Sequence, residues 1–226
     1  LPSKLEELKS IQQELAKKVK LCPLKRKPRL VAGADVSYVI SSQESIGVFV
    51  VYDLKEKKMV AKAFARLKTT FPYIPGFLSF REVPVLKEAF KGLSVMPDVL
   101  LVDGQGILHP RGLGLASHLG LELKLPAIGV AKKPLVGEFE IPPQEPGSFT
   151  PIYLNGEVKG VCLRTRKGVK PVYVSPGHLI TLEEALEVVK ASLSGYRIPE
   201  PLRQAHIFSQ RLRHECGDNS SRRDRK

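Results

Sequence analysis

The sequence predicts an α/β protein built on a mixed sheet, three antiparallel strands followed by parallel ones, with helices on its faces. Three strand-like runs, Leu30 to Val39, Ile46 to Leu54 and Met59 to Leu67, follow one another across short polar connections. Such connections allow hairpins and leave no room for helical crossovers. The aliphatic run Val99 to Val102 reads as a strand buried on both faces, as in a parallel sheet covered by helices. From Phe71 onward the pattern becomes helix, strand, helix, strand, which places further strands in the same sheet.

The elements follow in order. Ser3-Lys-Leu-Glu6 has the form of a capping box and opens an amphipathic helix through about Val19, with Leu5, Leu8, Ile11, Leu15 and Val19 on one stripe. After the three strands and the segment Phe71-Pro-Tyr-Ile-Pro-Gly76, a helix runs to about Lys91. A strand over Asp98 to Val102, a helix near Gly114 to Lys124 and a short strand Ala127 to Ala131 come next. Pro142-Pro-Gln-Glu-Pro-Gly147 is a loop, and Ile152 to Thr165 with Pro171 to Val174 reads as an additional hairpin. Thr181-Leu-Glu-Glu184 starts a capped helix ended by Gly195, and Pro199 opens a last helix carrying His206. Residues 1–216 are expected to form a single domain, and the polar, basic residues 217–226 a disordered tail.

A chain of 226 residues with 42% hydrophobic content can bury its own core. Its formal charge of +13 favours a polyanionic partner, nucleic acid first, over a neutral metabolite. Lys17 to Arg29 holds seven Lys or Arg and no acid, while Arg211 to Lys226 holds six against three. The basic tail reads equally as a solubilising extension. Cys22, Cys162 and Cys216 are widely spaced, which argues against a disulfide framework or a zinc site and for a reducing compartment. No apolar run is long enough to span a bilayer. A soluble cytoplasmic monomer without membrane contact is expected, or a nuclear one in a eukaryote.

Chemistry concentrates on three acids. Asp103 ends the Val99 to Val102 strand, at the carboxyl edge where such sheets bind ligands. Gly104 and Gly106 then offer positive φ and close backbone approach to a substrate, with His109 within reach of the rim. Asp103-Gly104 can also be a simple turn in which the carboxylate bonds its own backbone. Asp35 lies inside the apolar first strand, where a carboxylate needs a partner. If the first and fourth strands are neighbours, Asp35 and Asp103 can share a cation, and Glu82 on the covering helix can point to the same place. Singly, Asp35 caps a hairpin and Glu82 is a solvated helix position; jointly they suit Mg²⁺, or Mn²⁺ in its stead, rather than zinc. On a basic protein this points to phosphodiester hydrolysis. Lys132, just past Ile128-Gly-Val-Ala131, is placed to neutralise phosphate, and His206 to assist as ligand or proton carrier. Solvent-exposed and structural roles are the plain alternatives for these two.

Five segments in one order carry a family resemblance: Phe71-Pro-Tyr-Ile-Pro-Gly-Phe-Leu-Ser-Phe-Arg-Glu82, Asp103-Gly-Gln-Gly-Ile-Leu-His-Pro-Arg111, Gly129-Val-Ala-Lys132, Val174-Ser-Pro-Gly-His178 and Arg197-Ile-Pro-Glu-Pro201. Together they resemble endonuclease V, the deoxyinosine-directed repair endonuclease, from roughly Leu5 to Leu212. The resemblance implies a ribonuclease H-like fold. It also implies Mg²⁺-dependent hydrolysis of the second phosphodiester bond 3′ to inosine, leaving 3′-hydroxyl and 5′-phosphate ends. By motif, Asp35, Glu82 and Asp103 fall on the family's metal-binding acids, and Lys132 and His206 on its supporting catalytic positions. Pro72, Tyr73, Ile74 and Pro75 match its strand-separating wedge. Gly76, Leu78, Gly104, Gly114, Leu115, His118, Ala131 and Leu135 would line the pocket for the extruded base, with His109 beside them. The expected partner is inosine-containing DNA, RNA or both. A module that binds inosine or branched nucleic acid without cutting is the competing reading.

Overall fold

The short turns between the first three strands act as expected. In the computed structural model, which describes residues 3–216, β1 (Leu30–Val39), β2 (Glu44–Asp53) and β3 (Lys58–Lys68) form an antiparallel meander. β4 (Val99–Val102) lies parallel beside β1, and β5 (Ala127–Ala131) parallel beside β4. The spatial order β3-β2-β1-β4-β5 is the ribonuclease H-like arrangement. Three more strands continue the same sheet: β6 (Phe149–Leu154), β7 (Glu157–Leu163) and β8 (Val172–His178), in the full order β3-β2-β1-β4-β5-β8-β7-β6.

The additional hairpin predicted from the sequence is therefore joined edge-on to the main sheet, through antiparallel pairing of β8 with β5. Pro176 and Gly177 normally argue against a strand. Here the β5–β8 register shifts where Gly177 falls, and the Pro176 carbonyl bonds instead to the Ile107 N–H at 2.8 Å. A local bulge thus absorbs both residues.

Helices cover the two faces. α2 (Leu78–Lys91) and α3 (Leu115–Leu123) bury Val83, Leu86, Ala116 and Leu119 against Ala32, Ala34, Phe49, Leu100 and Val102. On the other face, α4 (Leu182–Ala191) and α5 (Glu200–Glu215) bury Val188, Val189, Leu202, Ala205 and Leu212 against Val31, Val48, Val50, Leu101 and Ile128. α5 touches β1 directly: a Cβ on Gly33 would lie 2.1 Å from the Pro201 carbonyl oxygen, so only glycine permits this approach. Both predicted capping boxes form, Ser3 with Glu6 and Thr181 with Glu184.

α1 (Lys4–Ala16) departs from expectation. Of its apolar stripe, Leu5 and Ile11 are exposed, at 43% and 46%, and Leu8, Leu15 and Val19 only half-buried, while the residue the helix buries completely is Gln12. The apolar periodicity marked the helix correctly, but the side chain it buries most deeply is an amide hydrogen-bonded to Gly76 and Arg111. No helix among the described residues is long and apolar enough to cross a membrane. The predicted disordered tail, residues 217–226, lies outside the described residues.

Candidate active site

Strand register brings the two aspartates together. Ala34 pairs with Val102 across the parallel β1–β4 ladder, so Asp35 and Asp103 are the next residues on neighbouring strands. The Asp103 N–H reaches the Ala34 carbonyl at 3.3 Å. Alternation on β1 points Asp35 toward α5, where the Ser209 hydroxyl donates to its Oδ2 at 2.6 Å and His206 Nδ1 stands 3.1 Å from the same oxygen. Glu82 approaches from α2 on the opposite face and accepts a 2.8 Å hydrogen bond from the Tyr38 hydroxyl. Asp103 ends β4 between them, and its Oδ2 pairs with the Lys132 ammonium.

The electrostatics follow from crowding anions in a buried place. Burial, reinforced by the charges of Asp35 and Asp103, raises the Glu82 carboxyl to about 8, despite the Tyr38 hydrogen bond. Burial also raises Asp103, with Asp35 adding to the rise and Lys132 opposing it. For Asp35, burial pushes upward, but hydrogen bonds from His206 and Ser209 hold its carboxyl below the usual range. As they stand, each acid leans on a protein partner, and among the described residues no three His, Cys, Asp or Glu groups converge closely enough to hold an ion. The donor set nevertheless fits a hard divalent cation: three carboxylates from three elements, mutually repelling, which a 2+ charge would relieve.

Lys132 is held by its own backbone. The Arg197 guanidinium donates to the carbonyls of Lys132 at 2.8 Å and Pro171 at 2.9 Å, stapling the chain after β5 to the connection that leads into β8. The Lys132 side chain is thereby aimed at Asp103 rather than into solvent.

Of the predicted pocket residues, His109 and His118 touch the segment that opens α2, whereas Ala131 packs in another cluster at the end of β5. Pro72 to Pro75 form an exposed loop, with Tyr73 at its outermost position and 66% exposed, and Gly76 turns the chain into α2 at φ +79°. Leu78 opens α2, while Gly114 and Leu115 cap and open α3. His118 is buried on α3, edge-on to Phe80 at 5.4 Å, with its Nδ1 unpartnered and its pKa lowered by burial. Gly104 sits against Leu115, whose Cβ would be 3.2 Å from a Cβ there. Ala131 is buried at the end of β5, and Leu135 is exposed beyond it. His109 is buried and turned to the Gly76 carbonyl at 3.1 Å, away from the carboxylates.

Two expectations for the glycines fail. Neither Gly104 nor Gly106 adopts positive φ. Gly106 is small because the protein's own backbone passes over it: an added Cβ would lie 2.1 Å from the Pro176 carbonyl oxygen. Its N–H is bonded to the Ser175 hydroxyl at 2.8 Å and its carbonyl accepts from the Gly114 N–H at 2.9 Å.

Sequence reasoning missed Ser209, Tyr38 and Arg197. Ser209 had a readable signal, since three residues on from His206 it shares that face of a helix. Tyr38 had none, because its partner Glu82 comes from a helix 44 residues on. Arg197 stood within a recognised motif, but its targets are backbone carbonyls that no side-chain pattern marks.

Known proteins share this fold. The endonuclease V family model matches residues 13–207. An endonuclease V of Geotalea uraniireducens is 49% identical over 209 residues, covering 92% of this chain and 88% of the relative. The chain belongs to the endonuclease V family. The crystal structure of endonuclease V from Streptomyces avermitilis superposes with a TM-score of 0.89 at 39% identity, covering 96% of both chains. A Ciona intestinalis endonuclease V, solved with a 23mer DNA containing an inosine followed by a ribo-adenosine, superposes with a TM-score of 0.79 at 29% identity, covering 96% of this chain and 99% of that one. The endonuclease V match spans Asp35, Glu82, Asp103, Lys132 and His206 and ends before Ser209.

Proposed function

We propose that this endonuclease V family member hydrolyses the second phosphodiester bond 3′ to an inosine in DNA or RNA, leaving a 3′-hydroxyl and a 5′-phosphate. The observation that carries the proposal is the placement of Asp35 and Asp103 on neighbouring strands, with Glu82 near enough to feel both charges and Lys132 paired to Asp103, in a fold shared with a relative solved on inosine-containing DNA. The three carboxylates would hold Mg²⁺, or Mn²⁺ in its place. A bound ion of this kind activates water and stabilises the charge that builds on the leaving oxygen.

The side chains around it have distinct tasks. Lys132, released from Asp103, neutralises the scissile phosphate. Ser209 and His206 fix the orientation of the Asp35 carboxylate from one side, which leaves Nε2 of His206 free to handle a proton. Tyr38 orients Glu82 from the other side. Pro72 and Pro75 stiffen the loop that carries Tyr73, whose exposed ring can replace stacking lost when a base leaves the duplex. The residues from Gly76 to His118 around the start of α2 and α3 receive that base. The net positive charge supplies phosphate attraction, so affinity falls with salt.

The test uses matched DNA and RNA strands carrying one inosine, incubated with and without Mg²⁺. Wild-type protein cuts only with the ion present. Asp35→Ala and Asp103→Ala still bind but lose cleavage on the order of a thousandfold, the several kcal/mol that charge stabilisation supplies. Full cleavage by both variants would overturn the assignment, and the two substrates read out the DNA or RNA preference directly.

A further inference from the structure

The Gly76 carbonyl oxygen, where the Pro72 to Pro75 loop enters α2, receives three donors. Gln12 Nε2 stands at 2.9 Å, an Arg111 terminal nitrogen at 2.8 Å and His109 Nε2 at 3.1 Å. A carbonyl has two lone pairs, so this acceptor is more than saturated. The donors are themselves tied together. Arg111 Nε donates to Gln12 Oε1, the Arg111 backbone N–H donates to His109 Nδ1 at 3.2 Å, and the guanidinium lies 4.6 Å from the centre of the Phe77 ring. Because Nδ1 accepts, His109 is the neutral tautomer that donates from Nε2.

The far end of this cluster is α1. That helix contributes no acid, histidine or lysine to the carboxylate site, and it buries one residue, the amide Gln12. Burying an amide gains nothing from the hydrophobic effect and is costly without partners. Both ends of Gln12 are satisfied, one by the loop base and one by the arginine that also grips it. Gly76 can hold its place only as glycine, at φ +79° and with a Cβ position 2.8 Å from the Arg111 guanidinium.

From this geometry we infer that α1 is a latch: Gln12 and Arg111 are positioning residues that fix the base of the Tyr73 loop, and through it the handling of duplex substrate. The inference rests on the proposed function for its consequence in cleavage, but the latch itself can be read without a substrate.

The chain contains no tryptophan, so Tyr73→Trp introduces a single reporter at the exposed tip of the loop. In that background, Gln12→Met removes both hydrogen bonds at similar volume, and Arg111→Lys breaks the fork from the other side with the sequence of α1 unchanged. Both lower the anisotropy of the indole emission while the thermal midpoint of the body is retained. Gln12→Glu keeps an acceptor for Arg111 but loses the donor to Gly76 and sets a second oxygen against that carbonyl, so it lowers the anisotropy as Gln12→Met does. With Tyr73 left in place, Gln12→Met raises KM about tenfold for an inosine duplex, with kcat on a matched single strand unchanged. Unaltered anisotropy in both Gln12→Met and Arg111→Lys overturns the latch. Lowered anisotropy with equal losses on duplex and single strand overturns its role in duplex handling. If wild-type protein cuts neither substrate, the functional reading has failed, and the anisotropy still decides whether the latch exists.

Discussion

α1 and α5 are both amphipathic by sequence and both lie against functional segments, yet they are attached in opposite ways. α5 sinks Leu202, Ala205 and Leu212 into the core, presses its first turn onto Gly33, and sends Ser209 and His206 to Asp35. α1 leaves Leu5 and Ile11 in solvent, buries Leu8 and Leu15 only in part, and sinks one residue completely, the hydrogen-bonded Gln12. The apolar stripe therefore predicts burial only where the body supplies an apolar partner. It also separates two kinds of support: α5 is part of the core that holds a carboxylate, whereas α1 fixes a loop and adds little to the core.

The largest expected effect breaks this comparison if it fails. Leu202 is 2% exposed and packed into the α4–α5 face, so Leu202→Ala costs about 2–5 kcal/mol. Ile11→Ala on α1, at 46% exposure, changes stability by less than about 0.5 kcal/mol. Urea unfolding of the pair measures both, and comparable losses would mean that α1 is docked by apolar burial after all.

That contrast marks how far the sequence could be read. Hairpin spacing and the Val99 to Val102 run disclosed the three-strand meander and the mixed sheet, whereas the adjacency of β1 and β4 that brings Asp35 beside Asp103 was only a condition until the sheet order was seen. Glu82 was legible because a helix must cover that face. The attachment of β8 was not, since Pro176 and Gly177 disguise a strand whose bulge becomes visible only against β5. The partners of the acids were legible only where helical spacing links them, as for His206 and Ser209. Tyr38, Arg197 and Gln12 act across long sequence separations on groups that carry no local pattern.

Ser209 sharpens the α5 side of the comparison. Its hydroxyl is fully buried and donates to a carboxylate, the kind of hydrogen bond worth about 1.5–3 kcal/mol. Ser209→Ala is expected to lower stability by that amount and to cut kcat about tenfold or more with KM little changed, because Asp35 loses one of the two groups that orient it. Steady-state kinetics alongside a denaturant titration separate the two effects. A variant that is destabilised but retains full kcat would make Ser209 a structural anchor only.

The smallest effect concerns how α5 begins. Glu200 accepts from Arg203 and Gln204, and these hydrogen bonds, against the opposing pull of burial, bring its carboxyl from the usual 4.5 to about 2. A carboxyl whose pKa is lower folded than unfolded binds fewer protons in the native state, so its stabilisation is complete above about pH 4.5 and drains away as the pH falls toward 2. Glu200→Gln should cost about 1 kcal/mol at pH 7, a fall of roughly 2–4 °C in the thermal midpoint for a chain of this size. The gap between wild type and variant should close as the pH is lowered from 4.5 toward 2, since protonated Glu200 then resembles the amide. A gap that persisted undiminished near the lower end of that range would show that Glu200 holds the first turn of α5 by shape rather than by charge. That turn rests on Gly33, two residues before Asp35 on the same strand, so the same titration reports on the footing of the carboxylate site.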